Sequence, residues 1–519
     1  MLAYVPGWLV KLVFGLISRS AWLSAIVNRL LIRMIIGVAR RRPHPFGTLH
    51  DYTSWRSLTD RRWSARHLPA DIRANYPPVD DLLELFRRPD GEQKLCPKST
   101  CLFPAFAQYL TDGFIRTETD ETIPDRLKRN TSNHEIDLCP LYGRTSDQTM
   151  ALRLLDETPG RRGRLKSQMV EGEEFAPFLY KDGEIDPQFA ILDKPLGASD
   201  LKDERAALKE TLFAFGGDRA NSAPHVAMIN TLFLREHNRL AALLERGHGH
   251  WDDERVFETA RNTVIVIFLK VVIEDYINHI APLPFQLRVD PTVSWRAEWN
   301  RTNWITTEFS LLYRWHSLVP DEVEWNGVKA PVASTFMNNR PLLEAGLRRG
   351  FHDISGQRAG ALGPFNTTAS LVRVERASIE QGRATALAGY PAYRQYVSLS
   401  RPSSFQEVSS DPAVVGILER CYDRVEDVEF FVGLFAEDRA KNSPLPPLIL
   451  KMVALDAFSQ AMTNPLLSEH VFNEDTFAPE GWAAIAQTAS LRDLVLRNSA
   501  GDGDNGFIGM TWPEWSFET

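Results

Sequence analysis

The stretch "EFSLLYRWHSLVP" (308–320) places a phenol, Tyr313, and an imidazole, His316, three positions apart. It lies in "TNWITTEFSLLYRWHSLV" (302–319), an apolar run that reads as a buried helix. Residues three apart are neighbours on one helix face, while Trp315 points elsewhere. An imidazole can ligate a metal, and a phenol near that metal can surrender an electron and a proton. A buried histidine can equally be a hydrogen-bonded core residue, and the pattern alone leaves both readings open.

Two further stretches place polar groups where apolar ones are expected. In "LFPAFAQYLTDGFI" (102–115), Phe103, Phe106, Leu110 and Phe114 follow helical spacing, yet Gln108 and Asp112 sit at i and i+4 with Thr111 beside them. "GGDRANSAP" (216–224) reads as a glycine turn carrying Arg219, with Asn221 and Ser222 as cap candidates before a long helix. One imidazole facing an amide, a carboxyl and a guanidinium suits a haem, with an axial histidine on one side and peroxide-handling groups on the other. A purely structural polar network fits the same spacing.

The elements that must hold these groups are helical. "NTLFLREHNRLAALLER" (230–246) is leucine-rich, and "ARNTVIVIFLKVVIEDYINHI" (260–280) is apolar nearly all round, as in a core-crossing helix. β-like alternation is scarce. The fold class expected is mainly α, a large helical catalytic body with irregular connections rather than a βαβ array. With 44% hydrophobic and 24% charged residues in 519, the chain is globular, and its net charge of −8 excludes a nucleic-acid binder. Four cysteines provide no disulfide framework and are read as free thiols.

The first 50 residues contain no Asp or Glu. Lys11, Arg19, Arg29, Arg33 and the run Arg40-Arg41-Arg42 alternate with Trp8, Phe14, Trp22, Leu30 and Met34. The basic residues break the apolar runs below the ~20 residues that a spanning helix needs. Such amphipathic helices suit an interface plane, so residues 1–45 are expected to bind a membrane surface monotopically, on the cytoplasmic side. A spanning anchor, or helices packed on the protein's own core, are the alternatives. Pro43, Pro45 and Gly47 close the segment, and 46–519 form the catalytic domain.

Six segments, in order, resemble the animal-type haem peroxidase superfamily, in particular its cyclooxygenase and fatty-acid dioxygenase branch. They are "DYTSWRSLTDRRWSARHLP" (51–69), "FAQYLTDGF" (106–114), "NHEIDLCPLYG" (133–143), "GRLKSQMVEGEEFAPF" (163–178), "NTLFLREHNRLA" (230–241) and "LYRWHSLVPD" (312–321). The epidermal-growth-factor-like module of animal cyclooxygenases has no counterpart.

The resemblance implies roles residue by residue. His316 takes the proximal position, as ligand to haem iron. Tyr313 takes the place of the tyrosine that becomes a radical. Gln108 matches the distal glutamine, and Arg219 the peroxide-cleaving arginine. Arg66 and Arg497 are rival anchors for a fatty-acid carboxylate, and Ser459 matches a serine of the cyclooxygenase channel. The distal histidine position holds Asp112, a weaker base unless burial raises its pKa, so weak peroxidase turnover is expected. Thr111 and Ser222 stand where relatives bond haem covalently through acids, which implies non-covalent haem b. Asp137 survives from the family's calcium loop among Asn133, Cys139 and Gly113, so no calcium is expected.

The function this implies is a haem-dependent dioxygenase that forms a fatty-acid hydroperoxide from O₂ through a tyrosyl radical. A peroxidase or peroxygenase using H₂O₂ with Asp112 as acid–base group is the alternative, as is a haem-binding protein with little turnover. Dimers occur in the family, which leaves a homodimer open.

Overall fold

The computed structural model describes residues 6–37, 46–89, 91, 93–499 and 506–518. The Arg40-Arg41-Arg42 run, Pro43, Pro45 and the expected boundary at 45 lie outside the described residues. Helices dominate, and the strands of the described residues form five separate two-stranded antiparallel sheets.

The helix Leu102–Phe114 is buried along almost its whole length. Pro104 is tolerated because it sits in the first turn, where the backbone N–H lacks an intrahelical acceptor. The helix stops at Ile115, which turns extended. Against it packs the long helix Pro224–Gly247, which opens with proline at its first position. Asp253–Val271 follows, capped by the Asp252 carboxylate on the Arg255 N–H. That helix runs on through a π-helical turn, Val272–Ile277, to Ile280 and ends before Pro282.

The structure corrects the continuous helix expected over 302–319. An α-helix covers only Thr307–Leu312, started by the Thr306 hydroxyl on the Phe309 N–H. Tyr313 caps it, and a short 3₁₀ turn, His316–Leu318, follows. The break has a local cause. The Trp315 indole N–H donates to the Leu312 carbonyl at 2.6 Å, and the Trp315 backbone N–H closes onto Tyr313 O at 3.0 Å. Both take carbonyls that a continuing helix would have paired with later N–H groups. Tyr313 and His316 therefore do not share a helix face; they flank a turn.

At the N-terminus, helices Gly7–Ser18 and Ala21–Ile36 form a pair. Val10, Phe14, Leu31, Ile32 and Ile36 join the main hydrophobic core, with Phe14 against Phe285 at 5.5 Å between ring centroids. The other side leaves Trp8, Trp22 and Met34 more than 60% exposed, with Leu12, Leu16 and Leu30 beside them. One face thus packs on the body, as the core-packing alternative has it, and the other is bare and apolar. Among the described residues no helix is long and apolar enough to cross a membrane.

Candidate active site

Five aromatic rings set the geometry. Trp315 stacks on Tyr313 at 4.7 Å and meets Phe103, in the first turn of the Leu102–Phe114 helix, at 5.5 Å. At the far end of that helix Phe114 stacks on Phe309 at 5.2 Å and 8°, and Phe309 meets Tyr313 edge-on at 5.1 Å. The helix carrying Gln108 and Asp112 is therefore fixed at both ends to the segment carrying Tyr313 and His316.

On that helix, Gln108 donates its amide N–H to the Ser222 hydroxyl at 2.8 Å, and its carbonyl lies 3.4 Å from His225 Nε2. Ser222 and Asn221 are not helix caps as expected. Asn221 instead exchanges two hydrogen bonds with the Phe213 backbone, and Ala223 precedes the helix without a side-chain cap. Gly216 passes so close to residues 139–143 that a Cβ would collide with the Gly143 nitrogen and the Cys139 carbonyl. That close passage positions Arg219, which donates to Ile115 O at 2.8 Å. The Thr111 hydroxyl is spent on its own helix, at the Ala107 and Gln108 carbonyls.

Asp112 is buried, and Oδ2 has no hydrogen-bond partner. Burial pushes its pKa up to about 7, against the pull of Arg219, Arg144 and Arg314. Arg314 is half-buried, and the desolvation of its guanidinium lowers its pKa to about 10. Arg219 also lowers the value, and Asp112 and Glu375 raise it, so all three groups act on Arg314. His316 Nδ1 lies 3.1 Å from Glu375 Oε2, and the histidine side chain keeps 16% exposure. The Tyr313 hydroxyl has no partner at full hydrogen-bond geometry; burial holds its pKa well above the ordinary phenol value, while a weaker interaction with the Tyr276 hydroxyl lowers it and Asp456 raises it.

These groups fit a haem. Asp112 Oδ2, Arg314 Nε, His316 Nδ1 and Glu375 Oε2 are all buried atoms without hydrogen-bond partners. Such atoms are costly unless a further group meets them. An imidazole on one side, a carboxyl and an amide on the other, and guanidinium groups able to meet porphyrin carboxylates are the donor set a haem needs.

The remaining sequence candidates lie elsewhere. Arg497 does not join the site: its guanidinium forms a two-point pair with the fully buried Glu236, which Arg239 and Asn498 also contact. Arg66 is buried; its terminal nitrogens donate to the carbonyls of Thr385, Gly47 and His50, while its Nε has no partner. Both guanidinium groups are thus engaged largely by the protein itself. Ser459 is fully buried and donates to Leu455 and Asp456 carbonyls, on the segment whose Asp456 acts on Tyr313. The Asp137 carboxylate receives the Asn133 amide and the Cys139 N–H. Cys96, Cys101, Cys139 and Cys421 are free thiols.

Sequence reading missed His225, Glu375, Arg314 and Tyr276. Arg314 and Tyr276 stood in stretches already singled out; Glu375 is one acid among several in a polar helix, without local signal.

A helical body whose buried Gln108 helix is fastened at both ends to the Tyr313–His316 segment is consistent with the haem peroxidase class. The chain belongs to the animal haem peroxidase family, whose model matches residues 101–505, from the start of the Gln108 helix onward. It is an oxidoreductase. Prostaglandin G/H synthase 2 of Bos taurus is 27% identical over 504 residues, 95% of this chain and 79% of that protein. Prostaglandin G/H synthase 1 of Rattus norvegicus is 28% identical, with 93% and 80% covered. The same fold occurs in the Oryza sativa fatty acid alpha-dioxygenase (TM-score 0.68, 15% identity, 91% of this chain and 90% of that one). It also occurs in peroxidase A from Dictyostelium discoideum (TM-score 0.66, 17% identity, 86% and 96%).

Proposed function

We propose that the protein is a haem-dependent fatty-acid dioxygenase, with His316 as iron ligand, Tyr313 as radical carrier, and a membrane surface as the source of substrate. One observation carries the reading most: Tyr313 is a buried phenol whose hydroxyl has no partner at full hydrogen-bond geometry, on the same turn as His316 and in the segment that aromatic contacts fasten to the helix of Gln108 and Asp112. Relatives named for prostaglandin synthesis over nearly the whole chain, and a structural neighbour named for fatty-acid dioxygenation, support the substrate class.

Bound non-covalently, haem supplies the oxidising power once peroxide has reacted with it. The chain's own residues do the rest. Asp112 takes the proton of an incoming peroxide and returns it to the departing oxygen, with Gln108 and Arg219 holding the site. Tyr313 loses a proton and an electron together, since burial disfavours its phenolate. The radical takes hydrogen from an acyl C–H, which restores the phenol. O₂ adds to the carbon radical, and the peroxyl recovers hydrogen from Tyr313, leaving a hydroperoxide. No calcium is needed in this scheme.

The carboxylate anchor we infer is Arg33. Arg33, Trp295, Arg296 and Trp299 line a cavity of about 690 Å³ where the Ala21–Ile36 helix meets the body. It lies beside the bare apolar face through which a lipid chain would enter.

A second reading, peroxidase or peroxygenase chemistry, is favoured by Asp112, whose pKa of about 7 suits proton shuttling. Oxygen uptake by purified holoprotein across a fatty-acid panel under ¹⁸O₂, with products weighed by mass spectrometry, separates the two. Label in a hydroperoxide supports dioxygenation. No O₂ consumption at any chain length, with trace peroxide present, sinks it. His316→Ala should lose the Soret band that the parent shows.

A further inference from the structure

Glu375 is the least expected group at the site. It lies in the first turn of the helix Val372–Ala384 and is 2% exposed. One carboxylate oxygen accepts the Thr367 hydroxyl at 2.9 Å, and the other approaches His316 Nδ1 at 3.1 Å. Neither atom of that second pair has a hydrogen-bond partner, so they stand at ion-pair distance without the alignment of a hydrogen bond. Thr367 itself is anchored, its backbone N–H donating to the Phe86 carbonyl at 3.1 Å. The carboxylate is thus held on one side by a fixed hydroxyl and aimed on the other at the imidazole. Negative charge is also favoured in the first turn of a helix.

We propose that Glu375 is a positioning residue for haem iron, acting through His316; this rests on the haem reading above. With haem bound, a small turn of the imidazole would let this carboxylate accept the Nδ1 proton, which would fix the tautomer and leave Nε2 as the donor to iron. A carboxylate behind a ligating histidine fixes ring orientation and raises the ligand's basicity. A more basic histidine pushes electron density towards iron, stabilises its oxidised form and helps an O–O bond break. That proximal push complements a distal side where a carboxyl, Asp112, stands in place of an imidazole. A purely structural Glu375, tying its helix to Thr367, would leave the electronic state of the iron unchanged.

The test uses reconstituted holoprotein and two variants. Glu375→Gln keeps size and the Thr367 contact but removes the charge. Thr367→Val keeps the charge but frees the carboxylate. Glu375→Gln should keep its Soret band, move the Fe(III)/Fe(II) midpoint potential to a more positive value, and lower the Fe(II)–histidine stretching frequency in resonance Raman spectra. Haem affinity or peroxide reactivity should fall by about 10–100-fold. Thr367→Val should move potential and frequency in the same directions by less. An unchanged potential and stretching frequency in Glu375→Gln overturns the proposal; should that variant fail to fold, the same result in Thr367→Val does so. A parent without a Soret band defeats the haem reading instead, so the two failures are distinguishable.

Discussion

Tyr313 and Trp315 lie stacked with ring centroids 4.7 Å apart and planes tilted by 27°, although two residues separated by one position on a helix would diverge. The stack exists because the helix ends at Leu312. It presses the tyrosine ring between Trp315 and Phe309 while the hydroxyl has no partner at full hydrogen-bond geometry.

Tyr313→Phe keeps that stack and removes only the hydroxyl. Oxygen uptake with fatty acid should fall to background, about 100-fold or more if the radical is obligatory, while the Soret band is unchanged. Peroxide consumption with a small electron donor should persist. Retained oxygen uptake would show that Tyr313 carries no radical.

Asp112 gives a pH prediction. As a base towards peroxide it must be ionised, so the rate of peroxide reaction should rise through a value near 7, and Asp112→Asn should lose that limb. The stability sign is opposite. Burial raises the folded pKa above the unfolded one, so from about pH 4 to 7 the unfolded chain gives up this proton first and the native state loses stability. Asp112→Asn apoprotein should therefore gain on the order of 2–4 kcal/mol over the parent at pH 8, and little at pH 4. Denaturant titrations at the two pH values measure it.

Arg33→Ala should raise KM for a free fatty acid by about tenfold, the worth of one charge-assisted contact, and leave the methyl ester unaffected. Steady-state kinetics with the acid–ester pair decides this. Equal effects on acid and ester would remove Arg33 from the carboxylate.

Arg497→Ala should leave Glu236 buried beside Arg239 and Asn498 alone. A loss of about 2–4 kcal/mol is expected, with KM unchanged. Arg66→Ala should likewise destabilise, by freeing three carbonyls, and should not distinguish acid from ester. Chemical denaturation paired with kinetics checks both.

What the sequence disclosed follows from how local each signal is. The Gln108 helix, the Arg219 turn and the long helix after Pro224 all have motifs within a few residues of the chemistry, and the structure brings Gln108, Asp112 and Arg219 into one site. The break after Leu312 was illegible because every residue from Phe309 to Trp315 suits a helix; an indole hydrogen bond decides otherwise. Arg66 and Arg497 stand at suggestive positions, but only tertiary contacts reveal that three carbonyls and Glu236 already occupy them. Glu375 meets His316 from 59 positions away, a juxtaposition no spacing encodes.

The aromatic fastening at Phe103 and Phe114 has a kinetic consequence. Because both ends of the Gln108 helix are locked to the Tyr313 segment, the gap between the two sides is set by folding rather than by the guest that fills it. Loading haem is then an insertion into a frame of fixed width, without a closing motion, so its rate should scale with pigment concentration and show no plateau from a slow isomerisation. The same rigidity means that a smaller side chain at Phe114 would act at a distance, by changing the width of the slot rather than its chemistry.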